Sequence, residues 1–194
     1  MINATMQVSD NLINTLKFFE GLHDRTRDGR IAAYLDTNTK PPKWSIGWGH
    51  TNTAKPGMTI TEAQAVALKK RDLKEHEDSV KSAIPSVKLT QGQFDALVSF
   101  SYNIGKNKFA KSDVVKAVNA GNMAEAKTRL ARWNRAGGKV LKGLTDRRQA
   151  EIALMDSLEV KPPAQPIAYS NSQIQRTITD PTSVWARVRS AVGA

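Results

Sequence analysis

The sequence predicts an α+β fold that is mostly helical: a small strand-bearing lobe near the N-terminus, joined by a long helix to a larger helical lobe. Three observations carry this expectation. Residues 22–57 are dense in turn formers and aromatics and read as short strands and loops. Thr61-Glu62-Ala63-Gln64 is a capping box opening an alanine-rich, polar helix to about Val80, long and polar enough to connect two lobes. Beyond Pro85 the chain returns to helical apolar spacing in four segments. At 194 residues with 40% hydrophobic content, the chain can bury a real core as one domain or as two small lobes sharing a helix. The expected division is a domain over 1–158, with lobes at about 1–60 and 81–158 around a connecting helix at about 61–80, followed by a linker and tail over 159–194.

Taken in order, Val8, Leu12, Ile13, Leu16 and Phe19 mark one face of a first helix. Ser9 or Asp10 can cap it, and Glu20-Gly21 falls at its end. Trp44-Ser45-Ile46-Gly47-Trp48-Gly49-His50-Thr51 sets two glycines one residue apart among aromatics, the pattern of a tight turn with close backbone packing. The outer face of the connecting helix is read as Lys69, Lys70, Arg71, Lys74, Glu75 and Glu77. Thr90-Gln91-Gly92-Gln93 is a second capping box, opening a helix with Phe94, Leu97, Val98 and Phe100 inward. Two shorter helices are expected around Ser112–Ala120 and Met123–Trp133, punctuated by Gly121, with Asn122 and Glu125 capping the second. Gly137-Gly138 reads as a flexible break, after which Thr145 or Asp146 caps a last helix to about Leu158, with Ile152, Leu154 and Met155 as core candidates. Lys161-Pro162-Pro163-Ala164-Gln165-Pro166 is a stiff linker, and Val184, Val188 and Val192 form an apolar stripe on a short basic helix in the tail.

Composition excludes several classes. There is no run of 18 apolar residues. Met1–Asp10 has no charged-then-apolar leader pattern. With no cysteine there is no disulfide, thiolate catalysis or cysteine-ligated zinc, and no His, Asp and Glu spacing resembles a metal site, so neither metal nor cofactor is expected. The net charge of +11 is concentrated between Tyr102 and Ala150, where twelve Lys and Arg face three acids. Such a surface attracts polyanions, whether nucleic acid, an anionic membrane or a bacterial envelope.

The N-terminal region assembles groups suited to glycosidic-bond cleavage, which needs a carboxylic acid near the leaving oxygen and a second group that orients water or stabilises positive charge on the sugar. Glu20, behind the apolar Phe18-Phe19, is the candidate acid, since an apolar setting penalises the charged carboxylate. Asp36 is the candidate second carboxylate and Ser45 the hydroxyl that helps hold the water. His50 is expected to make a structural pair with a carboxylate, and His23 and His76 are isolated.

These residues carry a resemblance. Phe19-Glu20-Gly21, Ala33-Tyr34-Leu35-Asp36 and Ser45-Ile46-Gly47-Trp48-Gly49-His50-Thr51 resemble the successive N-terminal motifs of the phage-type lysozymes, the endolysins of glycoside hydrolase family 24. Gln93 to Gly105 is similar to the family's central helix, and Trp133 to Leu144 with Arg147, Arg148 and Glu151 to its closing segment. The match covers roughly residues 8–158.

The resemblance implies a lysozyme-like fold with the glycan in the cleft between lobes, and an N-acetylmuramidase cutting the β-1,4 bond between N-acetylmuramic acid and N-acetylglucosamine in peptidoglycan. A lytic transglycosylase on the same bond and a non-catalytic binder are the alternatives. It implies Glu20 as acid, Asp36 as water-orienting carboxylate and Ser45 as third member, with Trp48, Thr51, Tyr102, Asn103 and Ser112 lining the cleft. An inverting reaction would set the carboxyls roughly 6.5–9.5 Å apart. Ser45 stands where the family usually has threonine. The fifteen residues between Glu20 and Asp36 exceed the usual spacing; Asp28 lies nearer the usual distance, whereas Asp36 keeps the Tyr-x-Asp context. The partners implied are the peptidoglycan strand and, through the basic helical half, an anionic envelope surface, with no nucleic acid and a monomeric chain. The implied location is the host cytoplasm until a holin opens the inner membrane, with action in the periplasm.

Overall fold

The computed structural model describes residues 1–20, 26–37, 39 and 41–157. The Gly21 helix stop, His23 and the expected linker and tail over 159–194 lie outside the described residues.

The elements run α1 (Asp10–Glu20), β1 (Ile31–Ala32), β2 (Tyr34–Asp36), β3 (Lys43–Ser45), β4 (Thr59–Ile60), α2 (Glu62–Ala83), α3 (Gln91–Ile104), α4 (Lys106–Lys111), α5 (Asp113–Asn119), α6 (Met123–Ala131), β5 (Arg135–Ala136), β6 (Lys139–Val140) and α7 (Lys142–Asp156). This is the mostly helical α+β architecture that the sequence predicts. The strands form three antiparallel pairs, β1 with β4, β2 with β3 and β5 with β6.

Two apolar clusters define the lobes. Ile31, Ile46, Trp48, Ile60 and Ala65 form the small one. The large one gathers Leu73, Val80, Phe94, Leu97, Phe100, Phe109, Val114, Leu130 and Leu154, and it also takes in Leu12, Ile13 and Leu16 of α1. The packing of α1 is thus with the helical body rather than with the strands, although it precedes them in sequence. That docking is held at its start by Asp95 of α3, which accepts from the Ser9 backbone N–H at 3.1 Å and from the Ser9 hydroxyl. Glu77 of α2 accepts from the Val8 N–H at 2.9 Å. Helix α2 spans both clusters, with Ala65 in one and Leu73 and Val80 in the other.

Both capping boxes form as expected. Thr61 Oγ1 accepts from Gln64 N–H and Gln64 Oε1 from Thr61 N–H; Thr90 and Gln93 do the same for α3. Asn122 caps α6 by accepting from Glu125 N–H at 3.0 Å.

Three expectations are corrected. Lys69 and Glu77 do not lie on the outer face of α2: both are buried, because α2 is covered on more than one side by the strand lobe, α1 and α3. Gly137-Gly138 is not a break. Its residues take φ of 55° and 78°, closing a two-residue turn between β5 and β6, a conformation that requires two residues with positive φ. The last helix starts at Lys142, with Leu141 at its N-cap and no side-chain cap; Thr145 lies inside it, its hydroxyl donating back to Leu141 O at 3.1 Å.

Candidate active site

The candidate residues sit at the end of α1, which closes with Glu20, and on the β2–β3 hairpin, which carries Asp36 and Ser45. The register pairs Tyr34 with Ser45 and Asp36 with Lys43. Because side chains alternate along a strand, Tyr34, Asp36, Lys43 and Ser45 share one face while Leu35 and Trp44 share the other. The Tyr34 side chain hydrogen-bonds with Ser45 and feels the charge of Asp36 on its own strand and of Glu20 at the end of α1. Burial and these two carboxylates raise its pKa above that of an ordinary tyrosine. One phenol therefore touches or senses Glu20, Asp36 and Ser45 together. In the sequence Tyr34 is only context for Asp36; its place opposite Ser45 follows from the hairpin register.

Asp28 is placed differently. It sits fully exposed in a turn, accepts from the Thr26 hydroxyl and has its pKa lowered, chiefly by that bond. Its partners are local, whereas Asp36 shares Tyr34 with Glu20.

Glu20 is not in the purely apolar setting expected of it. Arg147 of α7 donates from Nη1 to Glu20 Oε1 at 3.1 Å, and the same guanidinium lies 5.8 Å from the Phe19 ring centre. Arg147 is in turn set by a buried cluster. Glu151, with no exposed surface, accepts from Ser99 Oγ at 2.7 Å and Arg148 Nη2 at 3.0 Å, and Arg147 Nε lies 3.5 Å away. Burial pushes the Glu151 carboxyl up, opposed by the Arg148 and Arg147 charges. Arg148 Nη2 also donates to Asn103 Oδ1 at 2.9 Å, so one cluster braces Glu20 and orients Asn103.

The turn at Ile46 to His50 closes through paired backbone bonds of 2.9 and 3.1 Å. Gly47 takes φ of 62°, and a Cβ there would meet Ala65 Cβ of α2 at 3.2 Å, so glycine serves both the conformation and the close approach. His50 pairs with a carboxylate as expected, its Nδ1 lying 2.9 Å from Asp72 of α2, with Nε2 2.8 Å from Thr53 Oγ1.

Thr51 and Tyr102 line an open groove of about 510 Å³ between the lobes, with Gly49, Asn52, Arg71 and Asp72. Burial and nearby carboxylates push the Tyr102 hydroxyl up to about 12. Trp48 and Ser112 do not open onto it. Trp48 is 3% exposed and fills the strand-lobe core, with Lys17 Nζ 4.8 Å from its ring centre. Ser112 caps α5, accepting from Val115 N–H at 3.2 Å. The sequence signal for both was the motif, which does not separate cleft-facing from core-facing positions. Among the described residues, no group of three or more His, Asp and Glu could hold a metal ion.

The long helix α2, the small antiparallel strand pairs and the larger helical body define a lysozyme-like fold. The phage lysozyme family profile matches residues 18–151, and the chain belongs to that family. The endolysin of Salmonella phage P22 is 40% identical over 154 residues, covering 77% of this chain and 97% of the relative. The endolysin of Bacillus phage PZA is 40% identical over 153 residues, covering 78% of this chain and 56% of the relative, so the chain spans little over half of that protein. Among solved structures, a P22 lysozyme mutant superposes with a TM-score of 0.67 at 37% identity, covering 79% of this chain and 100% of the other. The muramidase domain of SpmX from Asticaccaulis excentricus superposes with a TM-score of 0.66 at 35% identity, covering 78% and 99%. No described helix is long and apolar enough to cross a membrane.

Proposed function

We propose that this chain is an endolysin that hydrolyses the β-1,4 bond between N-acetylmuramic acid and N-acetylglucosamine in peptidoglycan. The observation that supports the reading is that the Tyr34 side chain hydrogen-bonds with Ser45 and feels the charges of both Asp36 and Glu20. Glu20 gives its proton to the departing glycosidic oxygen as the C1–O bond breaks. Asp36 and Ser45 hold a water that attacks C1 from the opposite face and passes its proton to Asp36. Arg147 positions Glu20. Thr51, Tyr102 and Asn103 contact the glycan; Trp48 and Ser112 support the walls from inside.

The test is mass spectrometry of purified sacculi digested with wild type and Glu20→Gln. Reducing ends released by wild type, and none by the variant, are the expected result. Anhydro ends would make the chain a lytic transglycosylase, and equal digestion by both proteins would remove Glu20 from the mechanism.

The domain over 1–158 is the catalytic unit in this reading, and 159–194 an appended linker and tail. The chain acts as a monomer on the cell wall, reached from the host cytoplasm through a holin lesion. Its basic helical half is drawn to anionic envelope polymers rather than to nucleic acid, an attraction that salt weakens. Salt-independent retention on sacculi would refute that attraction.

A further inference from the structure

Lys69 is a buried charged group that the reaction scheme leaves unused. It sits midway along α2 and is 2% exposed. Its Nζ donates to the Trp48 backbone carbonyl at 3.0 Å, within the small-lobe turn, and lies 3.9 Å from the centre of the Tyr102 ring on α3. A single buried ammonium thus grips one lobe by a carbonyl and the other by an aromatic face. Both contacts depend on its charge: a charged donor makes the stronger hydrogen bond, and a cation is what the ring face attracts.

We propose that Lys69 is a positioning residue that sets the width of the glycan cleft by holding the Trp48 turn against Tyr102. The consequence for binding rests on the muramidase reading above; the clamp itself does not.

Burial is the dominant influence and pushes the Lys69 pKa down to about 8. Glu20 at the end of α1 and Asp72 on α2 favour the charged form, while Arg147 on α7 disfavours it. Of the remaining charged and titratable neighbours, His76 lies two turns further along α2 and feels the lysine charge. Tyr102 stays neutral, its hydroxyl pushed up to about 12. The small lobe presents the Trp48 carbonyl and His50, which is paired to Asp72. Among the described residues no carboxylate bonds Lys69 directly, so the effect of burial is only partly offset.

The chain has no cysteine, so spin labels attached through Leu35→Cys and Leu141→Cys, exposed sites on the two lobes, report the interlobe distance without background. Distances are measured at about pH 6, below the pKa of the lysine, in the full chain and in its Lys69→Met counterpart. The expected result is a narrow distribution for wild type and a broad one for Lys69→Met. Alongside, KM for soluble uncrosslinked glycan strands is about tenfold higher for Lys69→Met, the factor that losing a bond to a charged group carries, with kcat less affected. Lys69→Arg restores the low KM. Identical distance distributions in the two proteins would overturn the proposal. A broadened Lys69→Met distribution with no glycan cleavage by wild type would leave the clamp standing and remove the muramidase reading instead.

Discussion

Glu151 offers the sharpest test of how this fold holds its site. It has no exposed surface and meets Arg148 at 2.9 and 3.0 Å, Ser99 at 2.7 Å and Arg147 at 3.5 Å. Glu151→Ala leaves Arg148, itself 1% exposed, without a carboxylate among the described residues, and removes one of the two that face Arg147. Removing one partner of a buried ion pair costs about 3–5 kcal/mol, because the remaining charge stays desolvated. A domain of this size has only about 5–15 kcal/mol in hand. At roughly 2–4 °C per kcal/mol, the transition midpoint should fall by about 6–20 °C. Urea and thermal unfolding followed by circular dichroism measure both quantities. The reasoning also predicts the sign of a coupling: Arg148→Met with Glu151→Met together should cost less than Glu151→Met alone, since no unpaired charge remains at that pair. A loss below about 1 kcal/mol for Glu151→Ala, or a double variant as damaged as the sum of its parts, would refute this account.

Other consequences follow from local geometry. A Cβ on Gly92 would lie 2.0 Å from the Leu154 carbonyl oxygen and 2.5 Å from Ser157 Oγ, so Gly92→Ala must push α3 from α7 and should cost about 1–3 kcal/mol or more by urea denaturation. Thr90→Ala removes the hydroxyl half of a capping box and should cost about 1 kcal/mol in the same assay. Lys69 has a pKa depressed from 10.5 to about 8, so between those values the unfolded chain holds a proton that the folded chain has released, and folding gains stability as pH rises. The stability of wild type relative to Lys69→Met should therefore climb by about 3 kcal/mol from below pH 8 to above pH 10.5, and a flat difference would show that the ammonium is not desolvated.

The amino-acid order by itself determined what depends on near neighbours. Both capping boxes are four-residue motifs satisfied within themselves, and they form as written. The Gly47 turn, the Asn122 cap and the helical stripe of α1 are likewise local, as is the order of motifs by which the family is legible. The Gly137-Gly138 hairpin is equally local, since paired glycines are the usual residues of such a turn, but the weak strand patterning beside it makes the pair read as a break.

Tertiary structure decided what depends on distant partners. Glu20 accepts a hydrogen bond from Arg147, 127 residues away, so its apolar neighbours in sequence do not reveal its setting. Lys69 and Glu77 carry charges that a helical wheel assigns to solvent; their burial is fixed by Trp48, Tyr102 and the Val8 backbone, all on other elements. The convergence of Glu20, Asp36 and Ser45 on Tyr34 needed the hairpin register and the docking of α1 onto the helical body. Helix starts and turns are settled within a few residues of chain, whereas the environment of a charge is settled by whichever surfaces close over it.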